Sequence, residues 1–200
     1  MSDHYYTRLP LSVGKLYKIE NIQIRGEFHS FYTAPGVFSS KKIDKGTLLL
    51  AEYMEVPEGR MLDLGCGIGV LGIVAAKSSP ETQVILSDVN VRATWLARKN
   101  VELNDVKENT KVRTGNLYEP VKKEKFESIV SNPPVSAGLN VIEKLVEGAK
   151  TVLNEGGNLQ LVVRKGVEAV MKKMEKTFGN VEIVKKKGGY HVLKSVHKDA

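Results

Sequence analysis

The segment Ser131-Asn132-Pro133-Pro134 follows the apolar run FESIV and combines an amide side chain with two rigid backbone positions. An amide offers one acceptor oxygen and two N–H donors, whereas proline restricts its own φ angle and has no N–H to give. Two prolines also end a β-ladder, because neither can donate a hydrogen bond to it. The segment therefore has two interpretations: a rigid strand end, or a backbone and an amide held still for a ligand.

A glycine cluster, LDLGCGIGVLG, places glycines at positions 65, 67, 69 and 72, between an apolar run and a segment with helical spacing. Gly65 and Gly67 allow the backbone to approach a ligand, and the helix behind them offers unpaired N–H groups. A tight turn alone explains one or two of these glycines, but it explains three at alternate positions poorly. The cluster therefore predicts a site for a nucleotide-like ligand.

Two acidic residues bear on which nucleotide this is. The glycines satisfy the dinucleotide pattern G-x-G-x-x-G, and Asp88 in LSDVN lies where a ribose-binding acid is expected, so NAD stays an alternative. Asp63 stands two residues before the first glycine, where its carboxylate would repel a pyrophosphate and attract a sulfonium and an amino group. This charge favours S-adenosylmethionine.

The elements around these residues alternate between strand and helix patterns. Two alternating runs within residues 16–33, with Gly26 between them, predict a short strand pair, and Asp44 is a candidate N-cap for the helix that follows. Later strands are predicted at GRMLDL, TQVILSD, TKVRTGN, FESIVSN, GNLQLVVR, VEIVKKK and YHVLKSV. Helical spacing in four of the segments between these strands predicts βαβ units, and therefore an α/β fold with a mostly parallel sheet, helices on both faces and a last antiparallel strand.

This arrangement predicts where the chemistry would take place. The first and fourth strands of the βαβ series can lie side by side, so that their carboxyl ends open on one edge of the sheet. Asn132 would then face the ligand held by the glycine cluster. We predict an N-terminal extension over residues 1–45 and one catalytic domain over residues 46–200.

Composition and charge narrow the class of protein. The 200 residues include one cysteine, Cys66, and residues 163–200 carry ten Lys/Arg against four Asp/Glu, which accounts for +6 of the net charge of +7. The chain has no apolar run near the ~18 residues of a membrane span and no signal-peptide pattern, so we expect a cytoplasmic protein without a membrane partner. One cysteine and four histidines also predict that no metal is bound. The basic C-terminal part predicts an anionic polymer as partner, with solubility as the alternative reason.

The motifs LDLGCGIGV, LSDVN and SNPPV resemble class I S-adenosylmethionine-dependent methyltransferases that modify amino groups. In that family an (Asn/Asp/Ser)-Pro-Pro-(aromatic) tetrapeptide grips the exocyclic NH₂ of a base or the side-chain amide of glutamine. The resemblance implies a Rossmann-like sheet of seven strands. It also implies that the Asn132 oxygen and the Pro133 carbonyl accept the two hydrogens of the target amine.

The segments TAPGVFSSKKIDKGTLLLAEYM and GGYHVLKS resemble the RsmC-type ribosomal RNA guanine-N2 methyltransferases, in particular compact archaeal members, over about residues 30–196. This implies methylation of guanine N2 in small-subunit ribosomal RNA, with S-adenosylhomocysteine as the product. The implied partner is ribosomal RNA or the small subunit, and we expect a monomer or weak dimer. Protein glutamine N5-methylation and adenine-N6 methylation of nucleic acid remain alternatives.

The resemblance also implies roles for individual residues. The catalytic residues would be Asn132, Pro133 and Pro134. Cofactor contacts would come from Asp63, Gly65, Cys66, Gly67, Gly69, Asp88, Val89, Asn116, Leu117 and Asn132. Two positions depart from the family pattern: Val135 replaces the aromatic residue that stacks on the target base, and Asn116 replaces an acid that binds the adenine amine. Substrate contacts would therefore come from Phe38, Val135 and Tyr190, with Phe38 or Tyr190 as the stacking residue.

Overall fold

The computed structural model describes residues 15–37, 42–133 and 139–198. The strands in these ranges are β1 (Tyr17–Ile24), β2 (Glu27–Thr33), β3 (Gly59–Leu64), β4 (Thr82–Asp88), β5 (Thr110–Thr114), β6 (Phe126–Ser131), β7 (Leu153–Val163), β8 (Glu182–Lys187) and β9 (Tyr190–Val196). The helices are α1 (Lys45–Tyr53), α2 (Val70–Ser78), α3 (Val91–Leu103), α4 (Leu139–Val152) and α5 (Val167–Phe178).

Seven strands form one sheet in the order β5-β4-β3-β6-β7-β9-β8. The pairs among β3 to β7 are parallel, and β9 runs antiparallel to both of its neighbours. The predicted seven-stranded α/β fold is thereby confirmed. The predicted adjacency of the first and fourth strands is also confirmed, because Asp63 of β3 pairs with Val130 of β6.

The helices cover both faces of this sheet. On one face α1, α2 and α3 bury residues such as Leu50, Ile73 and Leu96 against the strands. On the other face α4 and α5 pack their own apolar residues. Side chains of β4 point alternately to the two faces: Leu86 packs in the core with α1, α2 and α3, and its neighbour Ile85 packs in the core with α4 and α5. Both layers therefore hold the carboxyl ends of the parallel strands in place.

The N-terminal strand pair, β1 and β2, is antiparallel and shares the core of the first face through Phe31. Two asparagines of α3 tie it down. Asn100 exchanges hydrogen bonds with the backbone N–H and C=O of Tyr32 at 2.6 and 2.9 Å, and Asn104 does the same with Ser30 at 3.2 and 2.8 Å. The expected N-terminal β extension is thus present and packed on the domain, while the boundary at residue 45 stays a prediction. No helix in the described ranges is both long and apolar enough to span a membrane.

Candidate active site

A cavity of about 550 Å³ opens at the carboxyl ends of β3, β4 and β6. It lies between the start of α1, the glycine cluster and the residues after β6. Most residues predicted to bind cofactor or amine line this cavity, namely Asp63, Gly65, Cys66, Gly67, Asp88, Val89, Asn116, Leu117, Asn132 and Pro133. Residues predicted from four separate sequence segments therefore meet in one place.

The glycine cluster forms the turn between β3 and α2. Gly65 and Gly67 have φ angles of 71° and 55°, which a side chain would strain, and the Gly65 and Cys66 N–H groups donate to the Ser87 carbonyl. Gly69, predicted to contact the cofactor, does not line the cavity. A Cβ at Gly69 would lie 2.9 Å from Leu86, so this glycine permits close packing of helix on strand.

Asp63 is the buried acid of the site, with 1% of its surface exposed. Its Oδ2 accepts a hydrogen bond from the Gly72 N–H at 2.8 Å, whereas its Oδ1 has no hydrogen-bond partner among the described residues. Burial raises the pKa of this carboxyl to about 7, and the nearby Asp88 charge adds to the rise. A buried carboxylate with a free oxygen beside a cavity fits a cationic ligand, because such a ligand would supply the missing charge and donor.

Asp88 ends β4 and connects two loops of the site. Its Oδ2 accepts from the Gly67 N–H and its Oδ1 from the Asn90 N–H, both at 2.8 Å. Burial raises the pKa of Asp88, and these backbone donors oppose the rise. Each oxygen of an ionised carboxylate can accept a further hydrogen bond, so Asp88 is also able to bind a pair of hydroxyl groups.

Asn116 and Leu117 form the wall beyond β5. The segment is anchored by the Gly115 N–H, which donates to the Asp88 carbonyl at 3.0 Å. Leu117 has a φ angle of 43°, a left-handed conformation that is strained for a residue with a side chain. The fold therefore holds this wall in an unfavourable backbone shape beside the cavity.

Asn132 stands at the end of β6 with its amide group tied to α1. Its Nδ2 donates to Thr47 Oγ1 at 2.8 Å and to Asp44 Oδ2 at 3.0 Å. No hydrogen bond from a described residue reaches its Oδ1. Pro133 follows it at the cavity, while Pro134, Val135 and Phe38 lie outside the described residues.

Tyr190 contacts Asp44 and is not part of the cavity lining. Its hydroxyl donates to Asp44 Oδ1 at 3.3 Å, and the guanidinium of Arg164 lies 5.3 Å from its ring centroid. One face of the ring is therefore already covered by a cation.

A family model described as Methyltransferase small domain matches residues 29–194 of the chain. The chain belongs to the methyltransferase small domain family. Bacillus subtilis protein YbxB is 35% identical over 200 residues and covers 98% of both chains. Ribosomal RNA small subunit methyltransferase C of Hamiltonella defensa is 35% identical over 184 residues, which are 90% of this chain and 52% of that protein.

Solved structures of methyltransferases share this fold. The T. thermophilus 16S rRNA N2 G1207 methyltransferase (RsmC), solved with AdoMet and guanosine, aligns with a TM-score of 0.84 and 27% identity. The alignment covers 95% of this chain and 52% of that chain, so this methyltransferase domain spans about half the length of its RsmC relatives. The resemblance to RsmC-type proteins is confirmed, whereas relatives from Bacillus and Hamiltonella give no support to the expected archaeal type.

Several cavity residues of this methyltransferase domain were not predicted from the sequence, among them Thr47 and Lys144. Thr47 accepts a hydrogen bond from the Asn132 amide, and Lys144 of α4 brings a positive charge to the cavity lining. The only sequence signal for Thr47 was its place in the family-like segment Asp44-Lys45-Gly46-Thr47.

Cys66 has an unreactive setting, because burial raises the pKa of its thiol well above the usual value. Within the described parts of the chain, no three His, Cys, Asp or Glu side chains group together as metal ligands.

Proposed function

We propose that this chain transfers the methyl group of S-adenosylmethionine to the exocyclic N2 amine of a guanine in small-subunit ribosomal RNA. The observation that carries the proposal is the Asn132 amide, whose donors are both engaged and whose oxygen stays available at the cavity. The RsmC relative solved with AdoMet and guanosine supports the same pair of ligands.

The residues around the glycine cluster suit S-adenosylmethionine. The free oxygen of Asp63 would receive the cationic methionine end, and Asp88 would accept hydrogen bonds from the ribose hydroxyls. Asn116 would accept a hydrogen bond from the adenine amine. When bound, the cofactor supplies an electrophilic methyl group on a sulfonium.

Asn132 and Pro133 would orient the target amine. The lone pair of an exocyclic amine is delocalised into the base, which makes the nitrogen a poor nucleophile. The Asn132 oxygen and the Pro133 carbonyl would each accept one of its hydrogens and favour a tetrahedral nitrogen whose lone pair points along the line of transfer. The protein thus contributes position and oriented dipoles, and it needs no strong general base.

RNA would approach at the carboxyl edge of the sheet. Three basic side chains lie at this edge. Lys144 lines the cavity, Arg164 directly follows β7, and Lys187 ends β8 and pairs with Tyr190 of β9. Phosphates attract such cations, and the affinity should fall steeply with salt. An RNA substrate of this kind would place the protein in the cytoplasm, with the ribosomes.

Two lysines of the basic C-terminal part have partners within the protein. Lys173 forms an ion pair with Glu147, and Lys185 lies 4.6 Å from the ring centroid of Tyr53. We therefore assign the RNA contact to the cavity edge.

Transfer of a labelled methyl group tests the proposal. S-adenosylmethionine would be offered with ribosomal subunits, total RNA or cell protein in separate reactions, and the products would be digested to nucleosides or amino acids. We expect label in N2-methylguanosine from the small subunit. Label in N6-methyladenosine or in methylated glutamine would show that the target is wrong, and no label in any arm would contradict the proposal itself.

A further inference from the structure

The first turn of α1 meets the proposed catalytic amide. We propose that Asp44 and Thr47 are positioning residues: both hold the Asn132 amide in place, and the Asp44 carboxylate determines that the amide oxygen and not its NH₂ group faces the amine. This inference rests on the proposed function only for the identity of the amine. The orientation of the amide can be tested without any substrate.

The two partners of the amide differ in what they can donate or accept. Thr47 Oγ1 and Asp44 Oδ2 lie 2.8 and 3.0 Å from Asn132 Nδ2, so each of the two amide hydrogens has an acceptor. An ionised carboxylate can only accept hydrogen bonds. If the amide turned over, the Thr47 hydroxyl could still donate to its oxygen, but that oxygen would face the Asp44 carboxylate oxygen at about the same distance, where repulsion would replace a hydrogen bond. The amide therefore has one favourable orientation.

The carboxylate is itself held by the helix. Asp44 is the N-cap of α1, where Oδ2 accepts from the Gly46 N–H at 2.8 Å and the Thr47 N–H at 3.1 Å. A helix N-terminus favours a negative charge at this place. The same oxygen atom thus caps the helix and receives the Asn132 amide.

Tyr190 restrains the other carboxylate oxygen. Its hydroxyl donates to Asp44 Oδ1 at 3.3 Å, and its ring packs on the backbone of Gly46, where a Cβ would come within 2.7 Å of the ring. A side chain at Gly46 would push the ring away from Asp44. Asp44, Gly46 and Thr47 therefore each serve the orientation of Asn132.

The consequence is a separation between binding and catalysis. If either hydrogen bond of the amide is lost, its oxygen is held less firmly against the amine. Loss of the Asp44 carboxylate also makes the second rotamer accessible, in which NH₂ faces the amine that requires an acceptor. The cofactor contacts of Asp63 and Asp88 lie elsewhere in the cavity and would not change.

The test compares Thr47→Val, which removes the hydroxyl at nearly constant shape, with Thr47→Ser, which keeps it. We expect Thr47→Val to lower kcat about tenfold, the loss that one hydrogen bond can cause, with an affinity for S-adenosylhomocysteine within about twofold of wild type. Thr47→Ser should restore most of kcat. Asp44→Ser, which keeps a good N-cap on a shorter side chain, should also lower kcat without lowering the melting temperature appreciably.

A second readout needs no activity. The side-chain ¹⁵N–¹H₂ signals of Asn132, identified by their loss in Asn132→Ala, should move in Thr47→Val and stay close to wild type in Thr47→Ser. Unmoved signals together with equal kcat values in the two Thr47 variants would overturn the positioning role. If wild type methylates no substrate but the signals move as expected, the proposed function fails and the positioning role stands.

Discussion

The buried carboxyl of Asp63, with one oxygen unpaired among the described residues, should make ligand affinity depend on pH. The carboxyl is buried, and its pKa is raised to about 7, so a large fraction is protonated in the ligand-free protein at neutral pH. A cationic ligand beside Oδ1 requires the ionised form and would lower this pKa. Binding should therefore weaken as the pH falls below 7 and should reach its full strength above it.

The magnitude follows from the protonated fraction. At pH 6 a group with a pKa of about 7 is ionised in only about one molecule in eleven, and at pH 8 it is almost fully ionised. The affinity for the ligand should differ about tenfold between the two pH values, or about 1.4 kcal/mol.

Calorimetric titration of S-adenosylhomocysteine from pH 6 to pH 8 measures this dependence. Asp63→Asn is the matched control, because an amide oxygen can still accept from the Gly72 N–H while the titrating group is gone. The series with the variant also removes the contribution of the ligand's own amino group. Equal pH dependence in wild type and Asp63→Asn would refute the reasoning that Asp63 meets the positive end of the ligand.

Three further results are expected. Asp88→Ala should weaken cofactor binding at least about tenfold, since it removes the acceptors for the ribose and the support of Gly67; an unchanged dissociation constant in calorimetry would contradict the ribose assignment. Asn132→Asp should lower kcat more than about 100-fold, because a second carboxylate would face Asp44; near-normal single-turnover rates would argue against that repulsion. Burial lowers the pKa of His29, so the unfolded chain binds its proton first and the free energy of unfolding should fall as the pH drops below about 6.5; urea denaturation of His29→Phe should lack this fall, and an identical fall in both proteins would exclude His29 as its source.

Much of the fold could be predicted because its signals are local. Short runs rich in apolar residues indicated the strands, several of them followed by glycine or proline, and the βαβ connection limits how they can be ordered. The adjacency of β3 and β6 followed from that order, and it places Asp63 and Asn132 at one edge of the sheet. The N-cap at Asp44 was also a local signal.

The support of Asn132 could not be predicted, because it depends on distant packing. Asp44 and Asn132 are 88 residues apart, and Asp44 and Tyr190 are 146 residues apart. They meet only because α1 crosses the sheet next to β7 and β9, which no local pattern specifies. The role of Gly69 could not be predicted for a different reason: it belongs to a ligand-binding motif in the sequence, but in the structure it lets α2 pack closely on Leu86.

The central claim is that Asn132 aligns the amine and contributes little to cofactor binding. The direct measurement is single-turnover methyl transfer to the small ribosomal subunit by wild type and Asn132→Ala, with the affinity of each for S-adenosylhomocysteine measured in parallel. We expect the rate of Asn132→Ala to be lower by about 100-fold or more at nearly equal affinity. An unchanged rate, or a loss of rate that follows entirely from lost cofactor affinity, would contradict it.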